Sequence, residues 1–509
     1  MARHSRSTIK IMESSLFLMA STGLTAGLGF VFWILVDRSY SPQRVGLAAS
    51  LINTISLISY LSLFGFNSSL VRFQARDGAR NRQVTMSLLI TGAGGATFGN
   101  AFLLLLPWLS PKLEFIRANP LYALLFVAFC GFAAVNLLTD SVFMAARLPQ
   151  YNMLVDGVLQ SLSKLAMPIF LVTFGAVGIV ASTGIGYAVA VIASLAVMYR
   201  RLGFRIDVGT RGTLLRKHAR YSLASYGSSI LNLLPQLVLP IIALQKLGSE
   251  TEAYYFMAFQ VANMLYAASH AIGEATFSEA SHDISRLAEC LKRSARLNLA
   301  VLLPAVTIVA LGASLVLSLF GQTYAAHART LLVLLSLGTF AVALNNWSSN
   351  ALRVSGRMRP FLVSNALFAA VSIGMAAALA SRGVLWVGGA WVVGNLVCGL
   401  AALVYIPWDT PELADAAVAA DAGEAAPAGL WDGAGLWDDT VPLVLPWLTS
   451  DRRRMGTVRP PRTSPTGTAA TAQAVMDDPR DGTLHFGGDM AVRERTVAGR
   501  GDDQAGFRW

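Results

Sequence analysis

The sequence predicts an all-α membrane protein: about twelve transmembrane helices in two pseudo-symmetric six-helix bundles, followed by a disordered C-terminal tail. Three observations carry that prediction. The 509-residue chain is 54% hydrophobic and only 14% charged, whereas soluble proteins hold roughly 25% charged residues. Apolar runs of helix-spanning length recur without long gaps up to residue 406. The basic residues between those runs alternate in number from one link to the next.

A helix crossing a hydrocarbon core of ~30 Å needs about 20 apolar residues. Runs of that length fall near 13–36, 45–66, 84–108, 120–143, 153–174, 176–199, 221–244, 254–277, 297–320, 328–351, 360–380 and 384–406. Helix is the required conformation, because backbone groups in lipid have to be satisfied within the segment. The alternating strands of ~10 residues that build a membrane barrel are absent. The first run, Glu13 to Val36, is too long for the apolar region of a secretory signal, and no small-residue cleavage pattern follows it, so it is read as a retained helix.

Charge then sets orientation. With a cytoplasmic N-terminus, one set of segments holds 22 basic residues, from Arg3, Arg6 and Lys10 through Arg72, Arg76 and Arg147 to Arg353, Arg357 and Arg359. The opposite set holds seven: Arg38, Arg44, Lys112, Arg117, Lys246, Arg329 and Arg382. Excess basic charge marks the cytoplasmic side. The expectation is a multi-pass protein of a bacterial cytoplasmic (inner) membrane with both termini inside. The links on the basic-poor side are short, leaving no room for an external domain.

The net charge is +11, yet it does not indicate a nucleic-acid partner. Residues 1–408 carry +17, confined to short links, and residues 409–509 carry −6. The latter stretch is rich in Ala, Gly and Asp and lacks periodicity, so it is read as a disordered cytoplasmic tail. Its repeated Gly-Leu-Trp-Asp at 429–432 and 435–438 is either a docking motif or low-complexity drift, and Arg452, Arg453 and Arg454 would attract anionic lipid. Cys130, Cys290 and Cys398 have neither CxxC nor metal-ligand spacing, so no metal site or cofactor is expected.

An internal repeat appears at an offset of 210, pairing Asn53 with Asn263, Asn136 with Asn346 and Arg147 with Arg357. Two six-helix halves have the same orientation, as in transporters built from parallel repeats with a site between them. The expected domains are residues 1–206, residues 207–408 and the tail at 409–509.

The segment GLGFVFWILVDRSYSPQRVGLAASLINTISLISYLSLFGFNSSLVRF, with Arg38, Pro42, Gly46 and Arg72 in an R-x-x-x-P-x-x-x-G pattern and its closing arginine, resembles the opening of bacterial polysaccharide flippases. These belong to the multidrug/oligosaccharidyl-lipid/polysaccharide exporter superfamily. ALRVSGRMRPFLVSNALF resembles the turn between their tenth and eleventh helices. The resemblance covers roughly residues 10–406. It implies a V-shaped pair of bundles that moves polyprenyl-pyrophosphate-linked oligosaccharide across the membrane by alternating access. Glycosyltransferase or polymerase partners and contact with membrane lipid follow from that reading.

Ionisable groups inside membrane helices usually face a cavity or a partner. Lys164, deep in the fifth helix, would hold a pyrophosphate or acidic sugar, or else pair with a carboxylate or snorkel. Asp156, Gln160 and Lys164 fall at i, i+4 and i+8 and form one polar stripe, with Asp140 on the preceding helix. Gln260 and Asn263 make a second stripe, and Asn345 and Asn346 line a cavity or mark a helix end. His270 and Glu274, again i and i+4, are candidates for ion coupling. Pro235 and Pro240 are expected to bend the seventh helix. Arg72, Arg76, Arg147, Arg353 and Arg357 either attract a head group or simply set topology. Besides the flippase, a cation-coupled multidrug exporter and a transport-inactive scaffold for polysaccharide synthesis enzymes remain open. A membrane glycosyltransferase would need a sizeable catalytic external loop, and no phosphate-binding GxxxxGK[ST] signals ATP coupling, so no enzymatic activity is expected.

Overall fold

A computed structural model describes residues 24–72, 80–146, 148–207, 213–282, 287–355 and 357–406. All regular structure among them is helical. Arg76, Arg147 and the tail, with its Gly-Leu-Trp-Asp repeat and arginine run, lie outside the described residues. All described residues fall in one compact unit, Met1–Asp438.

Twelve long helices follow the predicted order. They are α1 (24–39), α2 (Pro42–Leu61), α3 (Arg80–Leu109), α4 (Pro120–Ala145), α5 (Gln150–Phe170) and α6 (Ala176–Arg201) in the first half. In the second half they are α7 (Thr213–Leu247), α8 (Ser249–His282), α9 (Leu287–Leu311), α10 (Arg329–Val354), α11 (Met358–Leu379) and α12 (Val384–Val404). Ten of them are long and apolar enough to cross a membrane. The others are α1, whose described part is short, and α8. Helix α8 carries Glu252, Gln260, Asn263, His270 and Glu274; its first part is enclosed by protein, with Ala253 through Phe259 all buried, whereas Met264 is 49% exposed. A helix shielded from lipid has no need to be apolar all round.

Lipid-facing and protein-facing helices separate clearly. More than half of the spanning window is buried in α2, α6 and α10 (56% each), against 22% in α3, α5 and α9. The second group presents Leu104, Trp108, Ile169, Phe170, Ile308 and Leu311 outward, the side chains that an acyl environment accepts.

Within the halves, α3 packs on α4, α4 and α5 on α6, and α11 on α12, which also lies against α10. Between the halves, α2 lies against α7 and α8. Because α2 and α8 are the second helix of each half, the repeat-related helices meet face to face. Asn53 and Asn263 sit on this pair, and Asn136 and Asn346 on the equivalent α4 and α10. Gly46 allows the close α2–α8 approach, since a Cβ there would overlap the Ser249 carbonyl.

The link between α7 and α8 is shorter than predicted. The sequence places a loop at 245–253, whereas only Gly248, at φ +99°, separates α7 from α8. That conformation strains any residue with a side chain. The tight turn brings Glu250 and Glu252 into the first turn of α8. Pro235 and Pro240 lie inside the continuous α7.

Residues 39–42, 109–120, 170–176, 247–249, 311–329 and 379–384 link the helices at the same end, called here the distal end. The opposite, proximal end carries the arginine-rich links.

Candidate translocation path and the seam between the halves

In the first half, α4, α5 and α6 assemble an acidic pocket. Met153–Gln160 of α5 is wound as a π-helix, a local widening that recurs at functional sites in other proteins. Asn136 of α4 donates from Nδ2 to Asp156 Oδ1 at 2.9 Å. The Asp140 carboxyl lies beside that of Asp156, and its Oδ1 is buried without a hydrogen-bond partner. Tyr60 of α2 borders Asp140, and Tyr187 of α6 borders both Tyr60 and Asp156.

The predicted stripe on α5 runs along α6. Asp156 adjoins Tyr187, while Gln160 and the Lys164 stem border Gly186. Lys164 forms no ion pair among the described residues. Its Nζ instead lies 4.4 Å from the centre of the Phe32 ring on α1, a cation–π arrangement. The structure thus brings Asp140, Asp156, Gln160 and Lys164 together in one half-bundle.

The second half holds amides where the first holds acids. Asn346 donates to the Ser269 carbonyl at 2.9 Å, Asn350 to Asn346 at 3.3 Å, and Arg353 to Asn350 at 3.0 Å. Arg353 also pairs with Glu274 at 3.5 Å and lies over the Phe277 ring. His270 adjoins Asn346 and Glu274. The ladder links α8 to α10 through Ser269, His270 and Glu274 on one side and Asn346, Asn350 and Arg353 on the other. Asn345 faces the other way, into α12. It donates to Asn395 Oδ1 at 2.9 Å and accepts from Ser349 and the Cys398 thiol. Gln260 and Asn263 are half-buried on α8. Arg357 donates to the Tyr405 carbonyl at 3.0 Å, capping the end of α12. Arg72 closes a short helix, Phe66–Arg72.

At the distal end the halves are cross-linked by polar groups that sequence reasoning passed over. Tyr324 donates to Asp37 Oδ1 at 2.7 Å. Arg38 donates to the Leu319 carbonyl at 3.1 Å, and Gln43 to Glu250 at 3.3 Å. The Lys112 ammonium meets the carbonyls of Leu244 and Gln245 at 2.7 and 3.1 Å, and Gln245 reaches Ser110. Trp33 on Phe256 and Phe30 on Phe320 add edge-on ring contacts nearby. Toward the proximal end, Tyr226 donates to the Tyr60 carbonyl at 2.5 Å. A carboxylate at the end of an apolar run was the available signal for Asp37. Its partner lies 287 residues away, beyond the reach of local patterning.

Comparisons with known proteins agree with this architecture. Residues 11–277 match the sequence model of a family described as polysaccharide biosynthesis protein. No curated protein matches the chain. Among solved structures, an inward-facing multidrug resistance MATE family transporter of the MOP superfamily is similar at TM-score 0.59 and 18% identity, over 80% of this chain and 100% of that one. A MOP superfamily transporter from Pyrococcus furiosus, reported with a binding pocket of reversed polarity, is similar at TM-score 0.57 and 18% identity, over 81% and 96%. An outward-facing MATE family transporter gives TM-score 0.57 and 18% identity, over 78% and 94%. Identities this low speak for the fold, and the sequence match, which spans more than half of the chain, speaks for the family: this protein belongs to the polysaccharide biosynthesis protein family, with the fold of the MOP superfamily transporters.

Proposed function

We propose that the protein is a flippase that moves a polyprenyl-pyrophosphate-linked oligosaccharide across the bacterial cytoplasmic membrane by alternating access. The observation that carries this reading is the pairing of family membership with Lys164, a cation without an ion-pair partner among the described residues, deep in a half-bundle that lines up polar groups beside it. A cation on a low-dielectric wall attracts phosphate strongly. The amides on α8 and α10 suit sugar hydroxyls, which both donate and accept. Residues 1–206 and 207–408 act as the two rocking bodies, and residues 409–509 as a cytoplasmic tail dispensable for transport.

Orientation follows from charge: the distal end, poor in basic residues, faces outward and the termini face the cytoplasm. The polar cross-links then hold the outer side shut. Arg353, at the proximal end, is placed to attract the anionic head group, and glycosyltransferases or a polymerase supply and consume the substrate on either side.

A second reading has one observation in its favour. The adjoining Asp140 and Asp156 carboxyls set two acids side by side inside the first half, as a cation-coupled drug exporter would require. Reconstituted vesicles separate the two. On the flippase reading, a fluorescent polyprenyl-pyrophosphate sugar changes leaflet and Lys164→Ala slows it severalfold. Export of cationic dyes without any glycan-lipid movement would overturn the flippase reading.

A further inference from the structure

The distal seam contains a reciprocal exchange of carboxyl groups between the halves. Asp37, at the end of α1, is 8% exposed and packs against Tyr324, which lies in the short helix Gln322–His327 of the second half. Glu252, in the first turn of α8, is fully buried and packs against Gly46 and Ser50 of α2 in the first half. Each half therefore places one acid inside the packing of the other.

Neither acid is satisfied. Asp37 Oδ1 accepts from Tyr324, whereas Asp37 Oδ2 and both oxygens of Glu252 are buried without a partner. Ser50 Oγ and the Tyr255 hydroxyl, both beside Glu252, are likewise unpartnered. No described basic side chain reaches ion-pair distance of either acid. Two cations of this end are engaged elsewhere: Arg38 on the Leu319 carbonyl, and Lys112 on the carbonyls of Leu244 and Gln245; Arg44 lies near Gly175. The other ionisable groups facing the pair are Tyr255, Tyr324 and Tyr254, with Glu250 and His327 at the rim; Tyr254 donates to Glu250 and stacks on His327.

A buried carboxylate without a counter-cation costs several kcal/mol, and at Glu252 only the neighbouring Ser50 hydroxyl counters that cost. Its neutral acid form has an O–H to donate, and Ser50 Oγ and the Tyr255 hydroxyl lie beside it as acceptors. When the halves part at this end, water reaches the acids and stabilises the charged forms instead.

We propose that Asp37 and Glu252 form a two-carboxyl proton-binding site that must be occupied for the distal seam to close, and that gives up its protons to the distal side when the seam opens. The site lies apart from the Asp140–Asp156 pocket and from His270 and Glu274, and it operates whichever substrate crosses. Loss of protons at the distal side makes the open form more stable at alkaline pH. Reclosure requires protons from the same side.

The test uses the full-length protein with spin labels at Gln43 and Glu250, which face each other across the rim at 3.3 Å. Inter-label distances are measured from about pH 5 to pH 9. The expected result is a short distance at acid pH, with a longer population growing as pH rises. In the Asp37→Asn, Glu252→Gln double variant, whose amides keep shape without titrating, the short distance should persist at every pH. The single variants should each shift the midpoint. They also serve as the test should the double variant not fold. An unchanged pH response in the variants overturns the proposal. So does a distance that responds to sodium at constant pH but not to pH.

Discussion

Asn136 and Asn346 occupy equivalent positions in the two halves, and the halves have put them to different use. Asn136 donates to a carboxylate, Asp156, which adjoins a second acid with an unpartnered oxygen. Asn346 donates to a backbone carbonyl and accepts on its own oxygen from Asn350, which in turn accepts from Arg353. At these positions the first half sets an acid with an unpartnered oxygen beside a second acid, and the second half joins neutral amides and one exposed ion pair into a ladder. Unsatisfied buried charge costs stability and persists where it acts. Satisfied amides hold helices in register and give a unique packing. Along α4 and α5 the acids are therefore the candidates for chemistry, and along α8 and α10 the amides are candidates for holding the helices in register.

This contrast can be broken at several points, beginning with the largest effect. Asp140→Asn combined with Asp156→Asn should lower transport by more than about tenfold, equivalent to roughly 1.4 kcal/mol on the rate-limiting barrier. Thermal stability in detergent should not fall. Measuring flux and melting on the same preparation checks both arms, and a large loss of stability would place these acids among the packing groups. Asn345→Leu should do the reverse. It leaves the Asn395, Ser349 and Cys398 groups without their partner and should destabilise the fold by about 1–3 kcal/mol, with flux per folded molecule unchanged.

Lys164→Met sharpens the comparison within the first half. It keeps the stem against Gly186 and Phe32 and removes the charge. Glycan-lipid movement should slow severalfold, while stability should change by no more than the ~0.5–2 kcal/mol of a cation–π contact. The smallest effect is expected for Arg353→Ala. Its ion pair with Glu274 is solvent-accessible, and such pairs contribute roughly 0–1 kcal/mol. A fall in the apparent affinity for anionic substrate, without a fall in stability, is the signature to look for. Truncation at Asp409 should leave transport intact, and its loss would favour a scaffold role for the tail.

Much of the fold was legible because lipid imposes a simple demand on a chain. Ten helices declare themselves by length and apolarity. Helix α8 was found from its apolar run near 254–277, and the alternation of basic links supports it, even though its polar residues keep it below that standard. The stripe Asp156, Gln160 and Lys164 was legible as well, since four-residue spacing places side chains on one face of a helix. The use of Asn345 was not. The motif Asn-Asn-Trp-Ser-Ser-Asn suggests a wet lining, but successive residues of a helix point about 100° apart. Asn345 turned into α12 while Asn346 turned toward α8. The π-wound segment of α5 and the single-residue link at Gly248 also left no mark in the hydropathy pattern.

By itself, the sequence determined the order of the long helices and which ends carry positive charge; most boundaries lie close to those expected, but α9 runs Leu287–Leu311 where 297–320 was expected, and α7 begins at Thr213 instead of near 221. Those properties depend on local composition and on the cost of exposing backbone polar groups to hydrocarbon. Only the tertiary structure decided which polar groups are satisfied and which are left bare. Asp37 finds Tyr324 across 287 residues, and Glu252 finds Ser50 across the seam without gaining a counter-charge. Such pairings depend on which faces of distant helices meet, and that is settled by the packing of one half against the other.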